Sequence, residues 1–427
     1  MKNFFLAFAL IFSFLLSSAC VQKGGVNTNG STGDGTGDIK IGVYGDTTGA
    51  TSSFGQSTKN GIQLAFDEVN AAGGVNGRKL QMIFEDDQGT PEKAKTVISK
   101  LVSQDKVVAV LGEVASSNSL AAAPVAQEAK IPMITPSSTN PKVTQVGDYI
   151  SRVCFIDPFQ GSVMAKFAAN TLKAKTAAIL GDNSSDYSKG LTQFFKEEFT
   201  KLGGTVINEK TYAQKDQDFK AQLTQMRDQK PDVIYIPGYY GEVAIIAKQA
   251  RELGMNQPLL GGDGWDSPEL WKLGGDALKP AYISNHYSAD NPAPEIQNFV
   301  KAYQAKFNVA PDSLAALAYD SAKVLADAIK RAGGTDSVKL KDAINATKNF
   351  AGVTGTITLD GSRNAVKSAV VLELNPSASK FDFKETIYPE GMTPPIASTS
   401  NTNTMSNTMN SNAMNSDSNA NSMNANK

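Results

Sequence analysis

Two clusters of small polar residues have the composition of an anion-binding site. The turn Ser116–Asn118 follows the apolar run Val107–Leu111 and opens a helical pattern. Pro136–Thr139 follows the short strand-like run Pro132–Thr135. In an open α/β sheet, such turns lie beyond the carboxyl ends of the strands, where hydroxyls and backbone N–H groups face a ligand. Each cluster alone is more often a helix N-cap, but the pair predicts a seat for a carboxylate.

A different set of residues in the second half of the chain has the composition of a cation-binding site. Tyr187, Tyr239 and Asp263 each come shortly after a predicted strand. One carboxylate and two phenols can surround an ammonium group through charge pairing, hydrogen bonds and cation–π contact. Each tyrosine taken singly is more often a packing residue. An anion-binding site from the first half of the chain and a cation-binding site from the second half together suit an α-amino acid, whose two charges are one carbon apart.

Strand-like and helical segments alternate in two series along the chain. The first begins with the strand Ile39–Tyr44 and the helix Thr58–Asn70, and the pattern restarts with a helix over Gly161–Lys173 and the strand Thr176–Leu180. This alternation predicts parallel sheets with helices on both faces, and the restart predicts two such lobes. A long helix over Leu314–Ala332 and later segments are expected to complete both lobes by chain crossing. The predicted limits are residues 39–157 plus 288–366 for the first lobe and 158–287 plus 367–392 for the second.

The N-terminal segment is typical of an export signal. Met1-Lys2 is followed by an apolar run from Phe4 to Leu16, which is too short to span a bilayer, and then by small residues up to Cys20. The segment before and including Cys20 resembles the lipobox of bacterial lipoproteins, which implies cleavage before Cys20, a diacylglycerol on its sulfur and an acylated amine. Without that cysteine, a secreted soluble protein would be the better interpretation. Two or more acyl chains give stable anchoring, so we predict a lipoprotein signal peptide at residues 1–19.

Two segments that flank the lobes are poor in large apolar side chains. Residues 20–38 are rich in Gly, Asn, Thr and Ser, which predicts a flexible tether. Residues 393–427 consist mainly of Asn, Ser, Thr and Met and cannot bury enough apolar surface to offset the entropy of ordering, so we predict disorder. Soft-metal binding by the scattered methionines is the weaker alternative.

Composition argues against several classes of function. The 427 residues include 41 Lys+Arg and 42 Asp+Glu without a basic block, which argues against a nucleic-acid partner. Cys20 and Cys154 are the only cysteines, so lipidation of Cys20 would leave no intramolecular disulfide. We expect Cys154 to be a small buried side chain, because a nucleophile needs a nearby base and the single histidine, His286, is remote in sequence.

Motifs of catalysis and of metal or cofactor binding are missing from the sequence. It contains no P-loop, no G-x-G-x-x-G after a strand, no H-E-x-x-H, no C-x-x-C pair and no G-x-S-x-G elbow. Asp182–Asp186 hints at a calcium loop but lacks the Gly and the Glu that such loops need further on. Asp86 and Asp87 end a predicted strand, and we expect them to lie in a solvated loop. The prediction is a protein that is not an enzyme and that needs no metal or cofactor.

Several motifs together resemble the branched-chain amino acid binding proteins of ABC transporters, of the periplasmic leucine/isoleucine/valine-binding type. The resemblance extends from Ile39 to about Pro389. It implies a type I periplasmic binding protein fold, α/β in class, with two Rossmann-like lobes joined by a three-strand hinge that closes on the ligand. The motifs that carry it are Ile39–Val43, Gly61–Asn70, Ala72–Gly77, Asp86-Asp87, Met133–Thr139 and Gly238-Tyr239.

The resemblance implies a carboxylate seat and an apolar pocket in the first lobe. Ser116 and Thr139, with the backbone near Ser137, would hold the carboxylate of the ligand. Phe54 stands where some relatives have Tyr, and it would lie over the side-chain pocket. Some relatives also have a disulfide in this lobe, which the chain cannot form because neither position is a cysteine.

In the second lobe, the resemblance implies an ammonium seat made of Tyr187, Tyr239 and Asp263. Asp263 stands where relatives often have Glu, and the shorter side chain shifts the ammonium group by about one bond length or admits a water. The identity of the ligand's side chain is therefore open. Related binders take amides, urea or aromatic acids, which lack one of the two charges. Trp265 is close enough to Asp263 in sequence to line the same cleft.

Together with the export signal, the resemblance implies an extracytoplasmic lipoprotein that serves an ABC importer. It would capture an amino acid, branched-chain or otherwise apolar, between two closing lobes and deliver it to the membrane permease. We expect a monomer, anchored through Cys20 on the periplasmic or cell-surface side of a bacterial membrane. The alternative is a ligand-sensing subunit of the same fold that binds an amino acid, an amide or a related small molecule for signalling.

Overall fold

A five-stranded parallel sheet from the first part of the chain is the scaffold of the first lobe. The computed structural model describes residues 37–392. The strands are β1 (Ile39–Gly45), β2 (Leu80–Asp86), β3 (Ala109–Leu111), β4 (Met133–Thr135) and β5 (Ile150–Arg152), in the spatial order β2-β1-β3-β4-β5. The helices between them are α1 (Ser52–Ala71), α2 (Pro91–Ser103), α3 (Ser116–Glu128) and α4 (Lys142–Gln145).

A second series of parallel strands begins after the chain leaves β5. Its helices are α5 (Asp157–Lys166), continued by a π-helical turn over Phe167–Thr171, then α6 (Asp186–Lys201), α7 (Lys220–Gln229), α8 (Tyr240–Glu252) and α9 (Pro268–Gly274). The strands are β6 (Thr176–Asp182), β7 (Thr205–Tyr212), β8 (Val233–Tyr235), β9 (Leu259–Gly261) and β10 (Ala281–Asn285). The alternation predicted from the sequence is thus present in both halves.

The remaining elements contribute to both lobes. The helices are α10 (Pro294–Phe307), α11 (Ser313–Ala332) and α12 (Ser337–Asn345), and a two-stranded ribbon follows, formed by β11 (Phe350–Gly352) and β12 (Gly355–Ile357). The last two strands, β13 (Ala369–Asn375) and β14 (Lys380–Ile387), add antiparallel to β10. The second sheet therefore has the order β14-β13-β10-β9-β8-β6-β7. Because α11 packs against α1, the chain passes between the lobes three times, after β5, after β10 and before β13.

Apolar residues bury both faces of the first sheet. Ile41 and Val43 on β1 join a core with Ile62 and Phe66 of α1, which are four residues apart and hence on one helix face. Gly61 lies on the contact between α1 and α11, where a Cβ atom would be 2.2 Å from the carbonyl oxygen of Ala315. Only a residue without a side chain lets the two helices approach so closely.

Some predictions fall outside the part of the chain that the structure describes. The signal peptide (1–19), residues 20–36 of the tether and the tail (393–427) are among them, as is Cys20. Between residues 37 and 392, no helix has both the length and the apolar character needed to cross a bilayer.

Candidate ligand-binding cleft

Residues from the carboxyl ends of both sheets enclose a small cavity. The cavity has a volume of about 10 Å³. This free space fits about one water molecule, so a larger ligand needs the lobes to move apart. The lining residues are Phe54, Val114, Ser137, Tyr187, Tyr239, Asp263, Gly264 and Leu314, which include five of the seven predicted site residues.

The first lobe contributes hydroxyl groups to the cleft. The side-chain oxygens of Ser137 and Thr139 are buried, and that of Ser137 has no hydrogen-bond partner within residues 37–392. Ser116 is the first residue of α3, and its Oγ accepts a hydrogen bond from the backbone N–H of Asn140 at 3.3 Å. Ser116 and Thr139 are buried but are not among the lining residues. Because an unpaired buried hydroxyl is costly, Ser137, which lines the cavity, is available to an acceptor on a ligand.

A buried arginine that sequence reasoning missed fixes the loop bearing these hydroxyls. The guanidinium of Arg152, at the end of β5, donates to the carbonyl oxygens of Ser138 and Asn140, the latter at 2.7 Å. It also donates to Oγ1 of Thr144 at 3.3 Å. The rigid fork of arginine suits it to hold several acceptors at once. Arg152 lies at the end of a short buried strand, and its local sequence does not indicate this role.

The second lobe contributes a carboxylate held by several donors. Asp263 begins a 3₁₀ turn after β9 and is almost fully buried. Its Oδ1 accepts from the Tyr187 hydroxyl at 2.9 Å and from Nε2 of Gln160 at 2.8 Å. Its Oδ2 lies 2.8 Å from Nε2 of His286. The structure thus brings two predicted residues together, and it adds Gln160 and His286, which sequence reasoning had not placed in the site.

The two predicted tyrosines form the wall next to this carboxylate. The rings of Tyr187 and Tyr239 stack with centroids 5.3 Å apart. Burial raises the pKa of both phenols, so they stay neutral and can donate hydrogen bonds. The backbone N–H of Gly264 donates to the Tyr187 hydroxyl at 3.1 Å, which directs the Tyr187 proton towards Asp263.

Phe54 spans the cleft from α1 to the second lobe. Its ring makes edge contacts with Tyr239 and Tyr240, at centroid distances of 5.6 and 5.0 Å. With Val114 and Leu314 it forms the apolar part of the cavity lining. Trp265, close to Asp263 in sequence, is not among the lining residues: it is fully buried and its indole N–H donates to the Ile236 carbonyl oxygen at 3.0 Å.

Hydrogen bonds at the cleft mouth connect the two lobes. The Ser117 hydroxyl donates to Oδ2 of Asp186 at 2.9 Å and accepts from the Asp186 backbone N–H at 3.0 Å. Nδ2 of Asn140 donates to the Asp186 carbonyl oxygen at 2.8 Å. On the other side of the cleft, the Tyr240 hydroxyl donates to the Ala50 carbonyl oxygen at 3.1 Å. The lobes are therefore joined in a closed arrangement.

Asp87 and Cys154, two further groups considered in the sequence analysis, are buried. The expectation of a solvated loop is wrong for Asp87, which is buried and whose pKa is raised by burial to about 7. Cys154 is fully buried, and burial raises the pKa of its thiol to about 12, so it does not form a nucleophilic thiolate at neutral pH. Within residues 37–392, no group of three or more acidic, His or Cys side chains is arranged to hold a metal ion.

Fold and cleft define a two-lobed binding protein, and the chain belongs to the periplasmic binding protein family. The family model described as "Periplasmic binding protein" matches residues 38–377. This confirms the fold class and the family predicted from the sequence.

Three members of the family are similar to this chain over most of its length. An "Amino acid binding protein" of Pseudomonas aeruginosa is 34% identical over 306 residues, which cover 71% of this chain and 81% of that protein. The crystal structure of a leucine-binding protein LivK from Thermotoga maritima is 42% identical, with a TM-score of 0.79, covering 83% of this chain and all of that one. The branched-chain amino acid transporter substrate-binding protein LivJ of Streptococcus pneumoniae, solved with isoleucine, is 36% identical, with a TM-score of 0.78 over 82% of this chain and 100% of its own.

Proposed function

We propose that the cleft binds an α-amino acid with an apolar side chain and that closure presents it to an ABC permease. The observation that supports this most is the opposition of two polar seats within one cavity. Ser137, from the first lobe, has an unpaired hydroxyl, and Asp263, from the second, has a carboxylate. The names of the leucine- and isoleucine-binding relatives point to the same ligand class.

Each part of an amino acid has a counterpart in the cleft. Its carboxylate accepts hydrogen bonds from Ser116, Ser137 and Thr139, near the N-terminus of α3, where the helix dipole favours negative charge. Its ammonium group pairs with Asp263, with Tyr187 and Tyr239 alongside. Its side chain packs against the apolar lining. A micromolar dissociation constant requires only about −8 kcal/mol, which a few charge-assisted bonds and apolar burial can supply.

Closure of the two lobes strengthens the attraction between the charges of the ligand and the groups that bind them. Once water leaves the cleft, the attraction between the ammonium group and Asp263 acts through a medium of lower dielectric constant. The ligand can favour the closed arrangement only through contacts that the open one lacks, and contacts from both lobes to one small molecule meet this condition. The lobe limits proposed from the sequence, 39–157 plus 288–366 and 158–287 plus 367–392, assign the two seats to different lobes.

We further propose that lipid on Cys20 anchors the protein, as a monomer, outside the cytoplasm and close to its permease. The export signal and the cysteine that follows its small residues support this. The mature protein should begin with Cys20 carrying a diacylglycerol on its sulfur and an acylated amine, which mass spectrometry of the membrane-bound protein measures. An unmodified Cys20 would contradict the anchor without affecting the proposed ligand.

A thermal-shift screen of the twenty amino acids, followed by calorimetry, tests the ligand proposal. Apolar amino acids should raise the melting temperature by mass action. Asp263→Ala should weaken binding of the best ligand by at least about thirtyfold, since it removes the buried partner of a charge. Asp276→Ala, at an exposed position of the same lobe, serves as the control. Equal affinity of the Asp263→Ala variant and the control would remove Asp263 from the site.

A further inference from the structure

We propose that His286 is a positioning residue for amine recognition, which orients the Asp263 carboxylate from the segment that crosses between the lobes. The inference rests on the proposed function, because it concerns how an ammonium group is bound. His286 follows β10 directly, at the point where the chain leaves the second sheet. Its imidazole is fully buried, with Nε2 2.8 Å from Oδ2 of Asp263.

The bonding of Asp263 determines which of its oxygens is left for a ligand. A carboxylate has about four lone-pair sites. Two are used on Oδ1, by Gln160 and Tyr187, and one is used on Oδ2, by His286. The remaining site is on Oδ2, so the ammonium group binds the oxygen that His286 holds. Among the described residues, His286 is the only donor to that oxygen.

The protonation of His286 is compatible with this role. An ionised carboxylate only accepts hydrogen bonds, so Nε2 carries the proton and donates it to Oδ2. Burial lowers the pKa of His286, and Lys367 nearby adds to this, while Asp263 opposes it. A neutral imidazole leaves the negative charge of Asp263 for the ligand. A charged imidazole would cancel it.

The ring of His286 is held in place by its surroundings. It stacks on Phe155 at a centroid distance of 3.8 Å, with planes inclined by 20°. Phe155 belongs to the first crossing, between β5 and α5, so the stack joins two of the three connections between the lobes. The backbone N–H of His286 donates to Oδ1 of Asn285 at 2.8 Å. The donor on Oδ2 therefore lies at the edge of the hinge, where the chain leaves the lobe that bears Asp263.

Three substitutions of His286 distinguish the effect of its N–H donor from the effect of its ring. Glutamine can place an amide N–H near the position of Nε2, asparagine is one methylene too short to do so, and phenylalanine retains only the stack on Phe155. We expect His286→Gln to bind leucine within about threefold of the wild type. His286→Asn and His286→Phe should each bind at least about tenfold more weakly, as expected when one hydrogen bond to a charged group is lost.

Calorimetry measures the affinity of the wild type and the three variants for leucine. Weak binding by the Asn and Phe variants with rescue by Gln supports the proposal. Equal binding by the Gln and Asn variants overturns it, as does Phe binding like the wild type, and the proposed function then stands on the wild-type affinity alone. If the wild type binds none of the twenty amino acids, the proposed function fails and the inference with it. Should the Phe variant not fold, the Gln–Asn comparison still decides.

Discussion

At the scale of single residues, Asp157 and Asp263 are two buried carboxyl groups with different hydrogen-bonding surroundings. Asp157 begins α5 with its backbone N–H bonded to the Thr139 carbonyl oxygen at 3.0 Å. Its side chain is fully buried, and the Thr139 side chain lies close enough to oppose the effect of burial on its pKa. Burial raises its pKa to about 8, so the group is mostly protonated at neutral pH. Asp263, with three donors, is the carboxylate equipped to bind a cation.

Asp157 should therefore make stability depend on pH. The folded protein keeps this proton up to about pH 8, whereas the unfolded chain loses it near the ordinary value of 3.8. The stabilising contribution is complete below that ordinary value and is lost as the pH rises towards 8, by at most about 1.4 kcal/mol per pH unit. Asp157→Asn cannot titrate, so between pH 5 and 8 its free energy of unfolding should fall less than that of the wild type. Urea denaturation at several pH values measures this, and parallel curves would contradict it.

The residues of the site were only partly predictable from the sequence. Motifs and strand ends identified Phe54, Ser137, Tyr187, Tyr239 and Asp263, which share one cavity. Their roles as ligand contacts remain predictions. Gln160 and His286 gave no local signal, because their contact with Asp263 depends on tertiary structure across 103 and 23 positions of sequence.

At the scale of secondary-structure elements, the sequence was most informative where apolar periodicity is regular. The helix predicted at Leu314–Ala332 is α11 (Ser313–Ala332), and the predicted strand Ile39–Tyr44 is β1. The sequence analysis did not identify β10, β13, β14 or α10. Ser284 and Asn285 interrupt the apolar pattern of β10, whose partners in the sheet lie at distant positions. Such strands are specified by pairing rather than by local preference.

Close approach of α1 and α11 should make Gly61 sensitive to substitution. Gly61→Ala places a methyl group against the Ala315 carbonyl oxygen, so the helices must separate, and we expect a loss of about 1–3 kcal/mol in the free energy of unfolding. Gly241 in α8 is the matched control, since a Cβ atom there meets nothing within 4 Å. Gly241→Ala should be neutral or slightly stabilising. Equal stability of the two variants in chemical denaturation would show that the helix contact adapts at no cost.

The contact between α3 and α6 should act as a latch for the closed cleft. Ser117→Ala removes both hydrogen bonds to Asp186 and, because Ser117 does not line the cavity, should leave the ligand seats intact. We expect affinity to fall by about 2–10-fold through faster ligand release. Stopped-flow measurement of the dissociation rate checks this, with Ser103→Ala, at an exposed end of α2, as the control. A dissociation rate equal to that of the control would exclude the latch.

At the scale of the whole molecule, function depends on two sheets whose carboxyl ends face the cleft and on the hinge that connects them. The order β2-β1-β3-β4-β5 in one sheet and the parallel run β10-β9-β8-β6-β7 in the other direct both sets of loops towards the cleft. Phe155 and His286 both lie at the connections between the lobes. Ligand recognition and lobe movement are thus linked through the same short segments.

The central claim is that the cleft recognises both charges of an amino acid at once. Calorimetry with leucine, with its keto acid and with the corresponding amine tests it directly, because the three share a side chain and differ only in their charged groups. The account predicts micromolar binding of leucine and at least about hundredfold weaker binding of either analogue, since each leaves one buried seat without its partner. Binding of the keto acid or of the amine as tightly as leucine would contradict it.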